Sequence, residues 1–334
     1  MDVNLLEELV KKALDYADSS CTFAFQGGEP TLVGLDFYKQ LIEFQKRYNK
    51  KGITISNALQ TNGVVIDNEW AIFLAKNKFL VGLSLDGPKE IHDYLRVDAN
   101  GDGSFNAVMG ASKLFDKYNV EYNILTVVSA NVARHASQVY NYFKKNNFKY
   151  QQYIQCLDPL GEEPGGYEYS LTPKRYAQFL KTTFDLWYDD LKNNDYTSIR
   201  MFDNYVSMAA GYPPESCGMS GVCTCYFVIE SDGGVYPCDF YVLDEWLLGN
   251  IKNNGFNELL LTETAKRFVE KSKHVDEKCR ACNWYSLCRG GCRRTREPFE
   301  DDKPNLNYYC STYYEFFEYA GERLYDISKR MKTR

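Results

Sequence analysis

Nine of the eleven cysteines lie between residues 217 and 310, and they are the residues best suited to chemistry. They are Cys217, Cys223, Cys225, Cys238, Cys279, Cys282, Cys288, Cys292 and Cys310. Thiolates two to five residues apart can converge on one centre, because a tight turn brings both sulfurs to one side of the backbone. The spacing therefore predicts a metal framework.

Three kinds of site could use these cysteines. Disulfides are disfavoured because the cysteine count is odd, no leader-like segment opens the chain, and the chain is far larger than small secreted scaffolds. Structural zinc usually places two C-x2-C motifs in one short domain, whereas C-x2-C-x5-C-x3-C here crowds Cys279 to Cys292 into one loop. Iron–sulfur clusters take four thiolates each, and one run can serve two clusters. Spacing alone leaves zinc and iron–sulfur as alternatives.

Length and charge limit the classes of function. A chain of 334 residues predicts two domains with a full core. The net charge of −6 disfavours a nucleic-acid partner. We find no apolar run long enough to span a membrane, so we expect no membrane partner and a cytoplasmic localisation.

The elements that must position the cysteines follow a repeating pattern. After an opening helix at 3–17, strand and helix patterns alternate with a period of about 30 residues, which is typical of βα units. The predicted strands are 22–25, 53–63, 79–87, 121–131, 150–159 and 198–202, and the helices are 35–48, 68–76, 104–118, 132–145, 172–193 and 311–331. This alternation predicts an α/β fold with parallel strands, as a doubly wound sheet or a barrel.

Polar or glycine-rich turns follow the predicted strands, the first at Gln26–Pro30 and the second at Gln60–Gly63. In parallel β/α folds the ligand site lies at the carboxyl ends of the strands, so we expect these turns to line one mouth. Residues 159–170 are expected to form a mobile loop. The stretch at 211–214 predicts a domain boundary, with domains at 1–210 and 211–334.

Several motifs resemble the radical S-adenosylmethionine enzymes that carry a C-terminal SPASM domain. They are FAFQGGEPTL, LQTNG, SLDGP, SCGMSGVCTC, VYPCDF and CRGGCRR, and they are most similar to the anaerobic sulfatase-maturating enzymes. The resemblance covers essentially the whole chain. It implies a partial (β/α)6 barrel at 1–210, lacking its first strand and cluster loop, and a SPASM domain with two auxiliary iron–sulfur clusters and a C-terminal helix at 211–334.

One feature of that family does not occur in this sequence. The family binds its radical-initiating cluster with a C-x3-C-x2-C loop, and no such pattern is found here. We interpret the sequence as one that starts late, with a natural relative that lacks this cluster as the alternative. A third [4Fe–4S] cluster is therefore expected only in a longer form.

The resemblance implies a defined chemistry. An electron from a [4Fe–4S] cluster splits S-adenosylmethionine, and the resulting 5′-deoxyadenosyl radical takes a hydrogen from the β-carbon of a Cys or Ser in a sulfatase peptide. Loss of a proton and a second electron leads to Cα-formylglycine. The implied partners are a peptide or protein substrate and a reduced flavodoxin or ferredoxin-type electron donor. The alternatives are a maturase that forms thioethers or crosslinks in another peptide, and a non-catalytic metal-binding module that docks peptides.

The resemblance also implies cofactor-binding residues at the strand ends. Gly27 and Gly28 permit close backbone approach, and Glu29 can receive the methionine amino group. Ser84 offers a hydroxyl group, and Arg96 offers a guanidinium able to fork onto a carboxylate. An ordinary tight turn and a surface cation are the alternative readings of the glycines and of Arg96.

Four further residues complete the expected site. Gln26 and Asn62 are expected to touch cofactor or peptide, with turn capping as the alternative. Leu157 is expected to contact the adenine on the strength of the family alone. Asp239 directly follows a predicted ligand and is the expected catalytic base, with a solvated loop carboxylate as the alternative.

The resemblance divides eight cysteines between two auxiliary clusters. One cluster is expected on Cys217, Cys223, Cys238 and Cys292, and the other on Cys279, Cys282, Cys288 and Cys310. Cys225 is left as a buried thiol or a group behind the ligands, and Cys21 and Cys156 are expected to be core thiols.

The remaining titratable candidates are histidines and arginines. His92, His135 and His274 lack metal-ligand spacing and are expected to be surface or packing residues. Four arginines around Cys292 predict a solvated basic face, with tuning of a cluster potential or contact with acidic peptide groups as the alternatives. They are Arg289, Arg293, Arg294 and Arg296.

Overall fold

The computed structural model describes residues 1–300 and 303–332. Its helices are α1 (Val3–Tyr16), α2 (Leu35–Tyr48), α3 (Asn68–Lys76), α4 (Lys89–His92), α5 (Phe105–Tyr118), α6 (Ala130–Arg134), α7 (Ala136–Lys145), α8 (Pro173–Lys192), α9 (Arg200–Ala209), α10 (Phe256–Leu260), α11 (Glu263–Ser272), α12 (Glu277–Arg280), α13 (Tyr285–Cys288) and α14 (Cys310–Lys332). The strands are β1 (Ser20–Phe25), β2 (Thr54–Thr61), β3 (Phe79–Ser84), β4 (Glu121–Val128), β5 (Tyr150–Gln155), β6 (Ser198–Ile199), β7 (Val228–Ile229), β8 (Gly234–Tyr236), β9 (Gly249–Asn250), β10 (Phe299–Glu300) and β11 (Lys303–Pro304).

The main sheet has six strands in the order β1-β2-β3-β4-β5-β6. Strands β1 to β3 pair in parallel, and so do β4 to β6. A doubly wound sheet reverses its strand order at a switch point, whereas this order follows the chain throughout. The order therefore favours the barrel type of β/α fold, and the prediction of an α/β fold with parallel strands is confirmed.

The chain divides into two compact units. The first comprises Met1–Ser84, Ala107–Tyr122 and Thr224–Glu270, and the second comprises Leu85–Asn106, Asn123–Cys223 and Lys271–Arg334. The predicted domains at 1–210 and 211–334 stay a prediction. Among the described residues, we find no helix with both the length and the apolar character needed to cross a membrane.

The first unit is built on β1 to β3 and on the helices that cover them. Helix α1 begins where the Asp2 carboxylate accepts a hydrogen bond from the Leu5 amide at 2.9 Å, which satisfies one exposed donor of the first turn. Its apolar positions recur at helical spacing and are buried. The Tyr38 ring of α2 is fully buried against Phe25, Trp70 and Phe79. The small antiparallel sheet β7-β8-β9 belongs to the same unit.

The second unit has an aromatic core in which α14 packs against α8 and α9. The Phe316 ring of α14 lies 5.7 Å from the ring of Phe184 and 5.9 Å from that of Phe202. Thr172 caps α8 by accepting from the Arg175 amide, and Pro173 occupies the first turn, where its missing N–H costs nothing. The predicted C-terminal helix that packs on the body is confirmed.

Two predicted elements were wrong in part. The helix expected at 132–145 is two helices, α6 and α7, because the backbone leaves helical geometry at His135 and Ser129 starts a separate capped turn. The strand expected at 198–202 ends at Ile199, and the next residue opens α9. Apolar residues from Phe202 to Met208 follow helical spacing in α9, and their burial decides in favour of a helix.

Candidate functional site

The turn after β1 leaves its backbone open to a ligand. Gly27 and Gly28 adopt φ angles of +85° and +52°, which only glycine reaches without strain. A Cβ atom at either position would meet nothing within 4 Å, so the space beside both glycines is open. This open backbone fits the close approach of a cofactor, although the assignment of both glycines to S-adenosylmethionine stays a prediction.

Glu29 joins the end of β1 to the end of β2. Its Oε1 accepts from the Thr31 amide at 3.1 Å and from the Thr61 hydroxyl at 2.8 Å, and its Oε2 accepts from the Asn62 amide at 2.6 Å. Asn62 Oδ1 in turn accepts from the Val64 amide at 2.9 Å, which is the capping geometry of an Asx turn. The carboxylate therefore organises this strand edge, and a contact of Glu29 or Asn62 with the cofactor stays a prediction.

Asp239 lies in a hydrogen-bonded cluster within the first unit. Gln26 Nε2 donates to Asp239 Oδ2 at 3.0 Å, and the Tyr226 hydroxyl donates to Oδ1. The Phe240 amide also donates to Oδ1 at 3.1 Å. These three donors and the Cys238 thiol, 3.3 Å from Oδ1, fix the orientation of an exposed carboxylate. A base needs such a fixed orientation before it can accept a proton in a defined geometry.

Sequence reasoning missed Tyr226. Its hydroxyl oxygen also lies 3.3 Å from Cys238 Sγ, so it contacts both the expected base and an expected cluster ligand. Burial and the neighbouring Asp239 carboxylate raise the pKa of Tyr226, which keeps the phenol protonated as a donor. The only signal in the sequence is its place directly after Cys225.

The Arg96 guanidinium forms an ion pair with a carboxylate of its own chain. Its Nε donates to Asp86 Oδ2 at 2.5 Å and its second terminal nitrogen donates to Oδ1 at 3.2 Å. The Val127 amide donates to the same Oδ1 at 2.8 Å, so Asp86 also holds the end of β4. The guanidinium is partly exposed and has further N–H donors, and its role in binding the cofactor stays a prediction.

His92 supports this ion pair from inside the second unit. The Asp86 amide donates to Nδ1 at 3.1 Å, so the ring proton is on Nε2, which lies 3.0 Å from the Ser104 hydroxyl oxygen. Ser104 then donates to the Arg96 carbonyl at 3.1 Å. Burial lowers the pKa of His92 to about 4, and the ring is neutral. The expectation of a packing histidine is confirmed for His92.

Ser84 and Leu157 are the last two of the expected cofactor-binding residues. Ser84 is the last residue of β3, and Leu157 follows β5 by two positions; both are half-buried. Beside Leu157, the Asp158 carboxylate accepts from the Gly165 amide at 2.7 Å and from the Ser170 hydroxyl, which ties the start of the 159–170 loop to its middle and to its end. Cofactor contacts of Ser84 and Leu157 stay predictions.

Four thiols of the second unit are drawn together as one set. Burial raises the pKa of Cys288 to about 12, and the nearby Cys279, Cys310 and Cys282 raise it further. Burial and then Cys310 and Cys282 raise the pKa of Cys279, and burial and Cys282 raise that of Cys310. All four side chains are half-buried, and four thiolates are the ligand number that an iron–sulfur cluster takes, so this donor set fits such a cluster.

A second set in this unit contains Cys217, Cys223 and Cys292. Burial raises the pKa of Cys292 to about 11, with further contributions from Cys223 and Cys217. The expected fourth ligand, Cys238, belongs to the first unit, where it is buried and where burial raises its pKa. The division of eight cysteines between two clusters stays a prediction.

None of the eleven cysteines forms a disulfide. Cys225 is half-buried with its sulfur 4.0 Å from the Ala265 carbonyl, and Cys21 and Cys156 are half-buried as well. Within residues 1–300 and 303–332 we find no group of three or more His, Cys, Asp or Glu side chains arranged around a single metal ion.

The prediction of a solvated basic face around Cys292 was wrong for two of its four arginines. Arg293 is 3% exposed and Arg296 is 5% exposed. Charge patterning alone favours solvation for such a run, but the tertiary structure folds carbonyl oxygens and an aromatic ring around these two guanidinium groups.

Comparisons with known proteins agree with this geometry. Residues 1–132 match the family model of the radical SAM superfamily, and residues 217–283 match that of the SPASM iron–sulfur cluster-binding domain. A cysteine-type anaerobic sulfatase-maturating enzyme of Clostridium perfringens is 53% identical over 98% of this chain and 89% of its own length. The chain belongs to the anaerobic sulfatase-maturating enzymes.

A more distant relative and a solved structure agree with this family assignment. A serine-type enzyme of Bacteroides thetaiotaomicron is 32% identical over 97% of this chain and 83% of its own length. The solved structure described as native anSMEcpe with bound AdoMet and Kp18Cys peptide aligns with a TM-score of 0.97, covering 99% of this chain and 91% of that one. The resemblance to radical S-adenosylmethionine maturases is confirmed, and so is the family's use of this cofactor and of iron–sulfur clusters.

Proposed function

We propose that this protein oxidises a cysteine side chain of a sulfatase peptide to Cα-formylglycine. The observation that carries the choice of cysteine is the identity of 53% to the cysteine-type relative, against 32% to the serine-type relative, over nearly the same share of the chain. We also propose a cytoplasmic location and a reduced flavodoxin or ferredoxin-type protein as the electron donor, because cleavage of the cofactor needs one electron at a time.

The expected base is Asp239. When bound, S-adenosylmethionine supplies the radical that removes one hydrogen atom from the substrate β-carbon. Asp239 accepts the proton that leaves as the carbon loses its second electron, and hydrolysis of the thioaldehyde then releases hydrogen sulfide. Hydrogen bonds from Gln26 and Tyr226 hold the carboxylate in place, so little reorganisation is needed when the proton arrives.

The residues around the β1 turn would hold the cofactor. Gly27 and Gly28 leave their backbone open, and Glu29 fixes the turn through three hydrogen-bonded neighbours of β1 and β2. Arg96, locked by Asp86 and His92, would offer its remaining N–H donors to the methionine carboxylate. Ser84, Asn62 and Leu157 would complete the contacts. The eight cysteines of the two sets would hold the auxiliary clusters that take the second electron.

The test compares two peptides that differ in one residue. The reconstituted protein, carrying the C-x3-C-x2-C segment of the family, is incubated without oxygen with S-adenosylmethionine, reductant and a sulfatase peptide that has Cys or Ser at the modified position. We expect mass spectrometry to show aldehyde formation from the Cys peptide at least about tenfold faster than from the Ser peptide. Equal rates, or a faster Ser peptide, would refute the cysteine assignment, and a crosslinked product without aldehyde would favour another peptide modification.

A further inference from the structure

Two arginines of the Cys292 run are buried, although arginine is among the residues most rarely excluded from solvent. Removal of a guanidinium from water is costly unless hydrogen bonds or nearby negative charge compensate for it. Arg293 lies over the Phe299 ring at 4.3 Å, and its Nε is 3.6 Å from the Glu297 carboxylate. Arg296 instead contacts backbone carbonyls.

The Arg296 side chain connects segments that carry expected cluster ligands. One terminal nitrogen donates to the carbonyls of Gly221 and Ser272, at 3.3 Å each, and the other donates to the His274 carbonyl at 3.5 Å. Gly221 lies two residues before Cys223 in the chain. Arg296 itself lies four residues after Cys292, so one guanidinium fixes the loop of Cys223 relative to the run of Cys292.

A second contact ties the same segments together. The Cys223 amide donates to the fully buried Ser272 hydroxyl at 2.9 Å, and Arg296 holds the carbonyl of that same serine. The Arg294 amide lies 3.4 Å from Cys292 Sγ, within hydrogen-bonding range for a sulfur acceptor. Gly221 must remain glycine here, because a Cβ would lie 2.1 Å from the Arg289 carbonyl.

We infer that Arg296 is a positioning residue for the cluster held by Cys217, Cys223 and Cys292, and that the buried charges of Arg296 and Arg293 raise the reduction potential of that cluster. A reduced cluster carries one more negative charge, and a fixed nearby cation stabilises it. Arg296 contacts the carbonyl of Gly221, two residues before Cys223, and Arg293 directly follows Cys292, so both charges lie beside ligands of this set. The inference relies on the proposed function only for the presence of a cluster in this set.

The reduction potential of this cluster affects the direction of electron flow. An auxiliary cluster that accepts an electron from the oxidised substrate must be reducible at that moment, and net local charge is one of the determinants of cluster potential. Beside the other set, the Asp276 carboxylate and the Lys278 ammonium lie within three residues of Cys279 and carry opposite charges. The two clusters are therefore expected to differ in potential, with the Arg-flanked cluster the more easily reduced.

The experiment measures metal content and potential and does not depend on catalysis. The chain is reconstituted anaerobically with iron and sulfide, and redox titration followed by electron paramagnetic resonance gives the midpoint potentials of the wild type, Arg296→Met, Arg296→Lys and Arg293→Met. Arg280→Met, a loss of the same charge at an exposed position between Cys279 and Cys282, is the matched control. We expect one of the two potentials to fall in Arg296→Met and Arg293→Met, and to fall less in Arg296→Lys, which keeps the charge but not the fork.

Each outcome decides the matter. Full iron content with both potentials unchanged in Arg296→Met and Arg293→Met would overturn the inference, and it would leave the proposed peptide oxidation intact. If Arg296→Met does not fold, Arg293→Met decides alone, because Arg293 contacts the Phe299 ring and the Glu297 carboxylate. A shift of equal size in that same potential in Arg280→Met would also overturn the inference, since it would show a general effect of charge. A wild-type chain that takes up no iron would refute the cluster assignment itself.

Discussion

At the scale of single residues, the structure orients side chains whose positions in the chain are far apart. Gln26 and Tyr226 both donate to Asp239, and the hydroxyl of Tyr226 also lies beside Cys238. A carboxylate that accepts four hydrogen bonds is held in one orientation, so the loss of one donor should reduce its efficiency as a base without abolishing it.

Substitution of this cluster should separate peptide oxidation from cofactor cleavage. In Asp239→Asn we expect cleavage of S-adenosylmethionine to persist while peptide oxidation falls by about 10²-fold or more, because the amide cannot accept the proton. In Tyr226→Phe, loss of one hydrogen bond to a charged group should slow oxidation by about tenfold. Tyr212→Phe, at an exposed position, is the control. Unchanged product formation in Asp239→Asn would remove this residue from the mechanism.

His92 should make folding stability depend on pH. Its pKa is lowered to about 4 in the folded protein by burial, against an ordinary value of 6.5. Between these values the unfolded chain binds a proton that the folded protein does not, so the stabilisation present above pH 6.5 is lost as pH falls to 4. Complete loss of this stabilisation lowers the free energy of unfolding by about 3 kcal/mol.

Equilibrium unfolding of the wild type and His92→Gln across this range checks the prediction. The variant should be less stable at neutral pH, because it loses the buried imidazole ring and its contacts. Its stability should depend less on pH, because the Gln amide does not take up a proton in this range. His135→Gln, at an exposed histidine, should follow the wild type. Parallel curves for the wild type and His92→Gln would show that His92 is not the titrating group.

At the scale of elements, local sequence signals predict some helices, whereas packing against α14 decides the structure of α9. Helices α2 and α3 begin and end where the sequence predicts, and at α3 the Asp67 side chain caps the first turn by accepting from the Trp70 amide. Helix α9 was not predicted, because an apolar run directly after a strand is equally compatible with a longer strand. Burial against Phe316 resolves that ambiguity.

Phe316→Ala should therefore destabilise the protein by about 3–5 kcal/mol, because it leaves a cavity between α14, α8 and α9. Chemical denaturation gives the free energy of unfolding. Tyr314→Ala removes an aromatic ring from a half-exposed position of the same helix and should cost much less. Similar losses in both variants would argue against the packing described for α14.

At the scale of the whole molecule, the cysteine sets should determine metal content. Two [4Fe–4S] clusters correspond to about eight irons per chain in anaerobically reconstituted protein. Cys288→Ala should lower this to about four, because Cys288 lies among three other thiols of one set. Cys21→Ala, in β1, should leave iron content unchanged. One or two zinc ions in place of iron would refute the assignment.

The sequence by itself determined the class of the protein. Cysteine spacing, strand and helix periodicity and the polar turns are local patterns, and they sufficed to predict the parallel α/β fold and a metal framework. The iron–sulfur chemistry and the maturase family followed from the resemblance of the sequence motifs to a known family. Only the tertiary structure decided which donors orient Asp239, that the Arg96 fork faces Asp86, and that Arg293 and Arg296 are buried. The reason is physical: desolvation and hydrogen-bond partnership depend on groups distant in the chain, and no local pattern encodes their distances.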